Sequence, residues 1–278
     1  MYAANDPAAP PGMPGGAGAR PIGQEPRRRT VLALGVAALA LLSLPFVALV
    51  LSTPWARLHL QRGDATALFV SVTYTLVALL IVVLLGTPLA WLLARHEFRG
   101  KRIAEALLLL GLLTPPLAMG LLLAITYGPY TPLGRAAGHI GIGLTNTPAA
   151  FVLAQVYASA PYFIVAARAA FEAVPPELEQ MSLSLGQSPW RTFVRITLPL
   201  SRLGLAAGIA LAWVRALGEF GIVLIMAYYP QGIPVKLWVN LEDVGVGAVY
   251  PLLWLFFAIG LPLPLLLGMA SRRGASAA

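Results

Sequence analysis

The sequence predicts an all-α integral membrane protein with six transmembrane helices and both termini on the cytoplasmic side. Three observations predict it. Of the 278 residues, 58% are hydrophobic and only 11% are charged, whereas a soluble domain carries about a quarter charged residues. The apolar residues fall into six runs, each long enough to cross roughly 30 Å of hydrocarbon as a helix. The cationic residues sit in alternate connecting segments, the asymmetry that orients membrane proteins.

Residues 1–29 read as a disordered cytoplasmic tail. Up to Pro26 they are rich in Pro, Gly and Ala, with almost no large apolar side chain to offset the entropy of ordering. A transmembrane domain follows over 30–271. Arg27, Arg28 and Arg29 precede about twenty uncharged residues. That run exceeds the apolar core of a signal peptide, about 7–15 residues, so it reads as an uncleaved first span. The second span covers about 67–94, and the third about 103–127, interrupted by Thr114, Pro115 and Pro116. The fourth, fifth and sixth cover about 149–170, 203–228 and 248–270, leaving 272–278 as a short cytoplasmic tail. In lipid a span must satisfy its backbone internally, and unbroken apolar runs do not alternate as barrel strands do.

Orientation follows from the cations. One set of segments holds Arg27 to Arg29, "RHEFRGKR" at 95–102, Arg191, Arg195, Arg202, Arg272 and Arg273. The opposite set holds Arg57, Arg62, Arg135 and Lys236. The first set is cytoplasmic. The net charge of +8 is therefore a topology signal, with no implication of nucleic acid.

Several chemistries are excluded or disfavoured. The chain has no cysteine, so it forms no disulfide and no thiolate metal site. Its only lysines are Lys101 and Lys236, and no Gly-x-x-x-x-Gly-Lys-Ser/Thr loop occurs. ATP is not bound in that manner. His59, His96 and His139 lie in separate segments, which gives no metal or acid–base cluster. No Gly-x-Ser-x-Gly elbow is present. The expectation is a chain that binds no cofactor or metal and is not an enzyme.

The segment 171–202 is a polar, basic excursion between the fourth and fifth spans. In "VPPELEQMSLSLG", Pro176 opens a helix, Glu177 and Glu179 sit in its first turn, and Gly186 stops it. In "QSPWRTFVRITLP", Ser188 caps and Pro189 opens a second, short helix. Trp190, Phe193, Val194 and Thr197 share one face, predicting an exposed aromatic pair, and Pro199 discourages continuation. An amphipathic helix lying among lipid headgroups is the simpler reading. A helix–turn–helix carrying aromatics also fits a groove on a partner protein.

Gly186, Ile196, Leu198 and Pro199 in this spacing resemble the cytoplasmic loop signature of bacterial ABC importer permeases. The usual Glu-Ala-Ala opening is absent: Gln180, Met181 and Ser182 stand there, with Glu179 one place earlier. "TPAAFVLAQVYASAPYFIVAARAAFEAV" at 147–174, "VRALGEFG" at 214–221 and the Thr-Pro-Pro of the third span are similar to the molybdate, tungstate and sulfate branch. The resemblance covers about residues 65–265. It implies a permease subunit of the type I, binding-protein-dependent importers. Glu179, Leu185, Gly186, Gln187, Ser188, Pro189, Trp190, Arg191, Phe193, Ile196 and Pro199 would form the loop that couples to an ATPase. The implied partners are two cytoplasmic ABC ATPase subunits holding ATP and Mg, an extracytoplasmic oxyanion-binding protein and a second copy of this chain.

Within the spans, Arg215 and Glu219 lie four residues apart and share a helix face. Charges at membrane depth face an interior or aqueous cavity. They read either as a mutually neutralising pair or as a pair fixing a bend around Gly218 and Gly221 beside the pathway. Thr114, Pro115 and Pro116 interrupt the third span, and broken helices line transporter cavities. Gln155, Tyr157 and Ser159 are weaker candidates, since single polar residues often only join helices. Asn240, Glu242 and Asp243 are assigned to an outer loop. Sulfate or thiosulfate import, an ion-coupled secondary transporter and a non-transporting scaffold remain as alternatives. A secondary transporter would carry paired breaks in its two halves, and the sequence offers only one plain break, at Thr114–Pro116.

Overall fold

The structure, a computed structural model, describes residues 25–275, and its regular elements are helices throughout. The chain divides into two compact units, the first ending at Trp55 and the second starting at Ala56. The described part of the first is chiefly α1 (Glu25–Ser52). The helix begins inside the stretch assigned to the disordered tail, so Arg29 is helical. Most of its large apolar side chains are exposed, as on a helix that faces lipid. Residues 1–24 of the expected tail lie outside the described residues.

The second unit contains α2 (Asp64–Arg95), α3 (Lys101–Leu113), α4 (Pro116–Tyr127), α5 (Pro132–His139), α6 (Pro148–Glu172) and α7 (Pro176–Ser184). It continues with α8 (Pro189–Thr192), α9 (Leu198–Leu217), α10 (Gly221–Met226), α11 (Ile233–Asp243), α12 (Tyr250–Gly260) and α13 (Pro262–Ala275). The last of these extends into the expected C-terminal tail.

Proline sets many of the helix starts. Helices α4 to α8 all open on proline, and the residue before each is extended, with ψ between 124° and 162°. The proline ring excludes the helical region for its predecessor, while its own missing N–H would have had no partner in the first turn. Thr131, Thr147 and Ser188 add side-chain caps, accepting from Gly134, Ala150 and Arg191 N–H.

Helices α2, α6 and α9 form the central bundle. One apolar cluster, around Leu93, Phe163, Phe171 and Trp213, fills it towards the arginine-rich end. A second, around Phe151, Ala154, Ile222 and Met226, adds α4 and α10. Where the two meet, Gln155 Nε2 donates to Thr75 Oγ1 at 2.8 Å and to the Ala216 carbonyl at 3.0 Å. The amide thus ties all three central helices at one level.

Among the described residues, five helical stretches are long and apolar enough to cross a membrane: Arg29–Ser52, Asp64–Arg95, Pro148–Glu172, Pro189–Leu217 and Val246–Met269. The third expected span is not a single interrupted rod. α3 and α4 meet at a bend of 120°, and the described residues hold a sixth candidate span only where this bent pair is counted as one. Thr114 and Pro115 each precede a proline and take ψ of 123° and 143°, which turns the chain.

Two further expectations are corrected. Pro199 does not end the second loop helix: α8 runs through a π-helical turn at Phe193–Thr197 directly into α9. Leu198 N–H reaches back five residues to Phe193 O, and the wider turn makes room for the proline ring. The polar excursion is shorter accordingly. Asn240, Glu242 and Asp243 lie on helix α11, not on a loop, with Asn240 Nδ2 3.0 Å from the buried Asp64.

Candidate functional site

The predicted loop residues form an elbow at the arginine-rich end. Helix α7 closes with Gly186 at φ +81°, its N–H on Leu183 O at 2.9 Å, while Gln187 N–H reaches Ser182 O at 3.2 Å. This pair of bonds with a left-handed glycine is the Schellman ending. Ser188 then caps α8, accepting from Arg191 N–H at 3.3 Å, and Pro189 occupies its first position. Ser182 and Thr192 hydroxyls, buried and 2.9 Å apart, join the two arms of the elbow.

The elbow presents an apolar surface where the chain is otherwise polar. Leu185 is 78% exposed, Trp190 71% and Met181 63%. Phe193 departs from the expected exposed aromatic pair. Its ring stacks on Trp190 at 5.9 Å but turns inward onto Trp91 at 5.7 Å and Phe171 at 5.9 Å. Trp190 therefore stands alone on the surface with Phe193 as its base. Ile196 and Pro199 line a shallow groove with Leu178, Met181 and Leu185. Arg191 is exposed. Glu179 points inward, with its carboxylate on Arg95 and Thr197.

The predicted pathway residues gather at a second place. α9 ends at Leu217 and the chain restarts as α10 at Gly221, so a second helix is broken. Glu219 holds the gap. One carboxylate oxygen accepts Ile222 N–H at 2.7 Å, and the other takes the Arg215 guanidinium. Its side chain is 0% exposed and that of Arg215 25%, with the guanidinium 5.7 Å from the centre of the Tyr162 ring. The pair is thus a cap as well as a neutralised charge.

The two breaks touch. A Cβ on Gly221 would lie 2.8 Å from Pro116 Cβ and 3.0 Å from Leu117 N, and one on Gly120 would lie 3.2 Å from Ile222 Cα. The starts of α4 and α10 pack backbone to backbone through these glycines. Pro115 and Pro116 are exposed beside them. Thr114 donates its hydroxyl to Leu110 O at 2.6 Å, within its own helix. Gly218 is exposed at the end of α9. Of the weaker candidates, Gln155 is the three-helix tie, Tyr157 meets the Tyr127 hydroxyl at 2.7 Å, and Ser159 bonds Gln155 O.

Sequence reasoning missed Arg95, Thr197, Thr75 and Gly120. It also found one plain break where the structure has two. Arg95 was counted only as a topology charge. Gly120 carries a usable signal, a glycine in an apolar helix four places after the Pro116 start of α4.

Comparison with known proteins agrees with this architecture. Residues 86–273 match the family described as binding-protein-dependent transport system inner membrane component. A probable molybdenum ABC transporter permease protein of Haloferax volcanii is 38% identical over 228 residues, 81% of this chain and 83% of the relative. A molybdenum transport system permease protein of Mycobacterium tuberculosis is 34% identical over 208 residues, 74% of this chain and 79% of the relative. Among solved structures, a chain of a bacterial alginate ABC transporter in complex with a pentasaccharide-bound periplasmic protein superposes with a TM-score of 0.69. It is 15% identical, with 90% of this chain and 96% of that chain covered. With several apolar helices and a family match over most of its length, the chain is a multi-pass membrane protein and belongs to the binding-protein-dependent transport system inner membrane components.

Proposed function

We propose that the chain is the permease subunit of an ATP-driven importer that moves molybdate or tungstate into the cell. The naming of relatives at 38% and 34% identity as molybdenum permeases, over most of both chains, carries this reading. Both termini and the elbow face the cytoplasm of a bacterial or archaeal inner membrane, in keeping with the arginine distribution. The apolar tip formed by Met181, Leu185 and Trp190 docks into a cleft of an ABC ATPase subunit. ATP and Mg belong to that subunit. A binding protein delivers the anion at the opposite end, and two copies of the chain enclose the pathway.

The geometry supports a division of labour. The elbow is stiffened by the left-handed Gly186, the Ser188 cap and the Ser182–Thr192 bridge, so a push on Trp190 moves α7 and α8 together. α8 is continuous with α9, which carries the displacement 29 residues along Pro189–Leu217 to the break at Gly218. There α10 stays against α4, and the moving α9 changes access past Arg215.

The test is uptake into proteoliposomes holding this chain, its ATPase and its binding protein, with ATP enclosed. Molybdate, tungstate and sulfate are offered together, and molybdenum, tungsten and sulfur are counted inside. ATP-dependent accumulation of molybdate or tungstate is expected. Accumulation of sulfate alone reassigns the substrate, and uptake by the chain without an ATPase refutes the importer.

A further inference from the structure

Glu179 is the one acidic residue of the elbow that turns inward, and its partner, Arg95, lies 84 residues away at the last turn of α2. Arg95 Nε is 3.1 Å from both carboxylate oxygens, and Nη2 is 3.0 Å from Oε1. The same Nη2 donates to Val174 O at 2.8 Å, and Thr197 Oγ1 donates to Glu179 Oε1 at 2.7 Å. The Arg95 and Glu179 side chains are 11% and 16% exposed. Five hydrogen bonds, four of them to one carboxylate, therefore join α7, the end of α2, the segment after α6 and the π-helical turn that leads into α9.

We infer that Arg95 and Thr197 are positioning residues for coupling, and that Glu179 is an internal tie and not a contact for the ATPase. This rests on the coupling role proposed for the elbow. Both oxygens of the carboxylate are engaged by the Arg95 guanidinium and Oε1 also by the Thr197 hydroxyl, with the side chain only 16% exposed, so its acceptor capacity is committed chiefly to internal partners. The consequence is mechanical. Without the tie, α7 hangs from the bundle by the Val174–Pro176 link, the Gly186 turn and the Ser182–Thr192 bridge. With it, movement of α7 is delivered to α2 and α9 at once, and these are two of the three helices that pack as the central bundle. The docking surface of Met181, Leu185 and Trp190 lies outside the tie, so docking and transmission are separable.

Two measurements test the inference. The first needs no partner. The chain contains no cysteine, so Ser184→Cys and Arg99→Cys introduce the only thiols for nitroxide labels, one on α7 and one just past α2. Their distance distribution is expected to be narrow, and to broaden when Arg95→Gln is added in protein that still elutes as a folded species. An unchanged distribution overturns the tie. The second uses the reconstituted importer. Arg95→Gln and Glu179→Gln are each expected to retain the ATPase subunit on co-purification while anion moved per ATP hydrolysed falls roughly tenfold. The double variant is expected to be no worse than either single one, as for partners in one contact. Arg95→Lys, which keeps the charge without the fork, is expected to fall between. Loss of the ATPase subunit in Glu179→Gln, or a normal transport ratio in Arg95→Gln, overturns the inference. Trp190→Ala separates the two readings: retention of the ATPase subunit by that variant counts against the elbow as the docking site, whatever the label distances report.

Discussion

Pro115 and Pro116 break the α3–α4 pair through covalent geometry, whereas the α9–α10 break is held by a buried carboxylate and a glycine. At the first, Thr114 and Pro115 each precede a proline and are driven into extended conformations. At the second no proline is present. Gly218 and Glu219 leave the helix, and the Glu219 side chain replaces the missing backbone acceptor for Ile222 N–H. Two breaks that meet in space thus depend on different parts of the chain. One rests on proline stereochemistry, and the other on a carboxylate that is buried in the bundle.

That contrast ranks the consequences of mutation. The largest is expected for Glu219→Ala. It removes the cap of α10 and leaves the partly buried Arg215 without its carboxylate, a change that costs about 3 kcal/mol. Thermal unfolding in detergent measures it. A double variant, Arg215→Met with Glu219→Met, is expected to recover the part of the loss that comes from the unpaired charge, while the Ile222 N–H stays uncapped. If Glu219→Ala unfolds like the parent chain, the second break does not depend on the carboxylate.

Gly221→Ala comes next, at about 2 kcal/mol. The added methyl group meets Pro116 Cβ at 2.8 Å and Leu117 N at 3.0 Å, and a backbone atom cannot rotate aside. The substitution strains both breaks together, so Ala at 221 is expected to lower the unfolding temperature and also loosen α4. A second-site change that trims α4, Pro116→Gly, is expected to relieve part of it. No relief would place the strain elsewhere than at the contact of the two helix starts.

The same contrast explains how much could be read beforehand. Apolar length placed the long helices, because the bilayer fixes what a span needs. The Gly186 stop and the Pro189 start were legible for a local reason, since left-handed φ and a missing N–H act within a turn. The third span's break was legible for the same reason. Proline alone, however, is a poor guide: Pro88, Pro161 and Pro199 all sit within helices, and Pro199 is accommodated by a π-turn that no local rule predicts. Helical periodicity put Trp190 and Phe193 on one face but could not tell which ring finds Trp91 on α2. Arg95 and Glu179 are 84 residues apart, and without a second sequence to reveal coupled change nothing joins them before folding. Glu219 was singled out as a charge in a span. Its capping role needed the break to be seen.

The smallest effect separates the two kinds of break most sharply. Pro116 occupies the first position of α4, where an N–H has no intrahelical acceptor, so Pro116→Ala removes no hydrogen bond and keeps the Cβ that faces Gly221. What it loses is restriction of the unfolded chain, worth under about 1 kcal/mol. Thr114 still precedes Pro115 and stays extended, so the bend is expected to survive, with spin labels on α3 and α4 reporting an unchanged separation. Removing both prolines takes away the local cause, and the separation is then expected to lengthen as α3 continues towards α4. If the single change already straightens the pair, the break depends on Pro116 alone. If the double change leaves the pair bent, contact with α10 is enough to hold it, and the two breaks are after all of one kind.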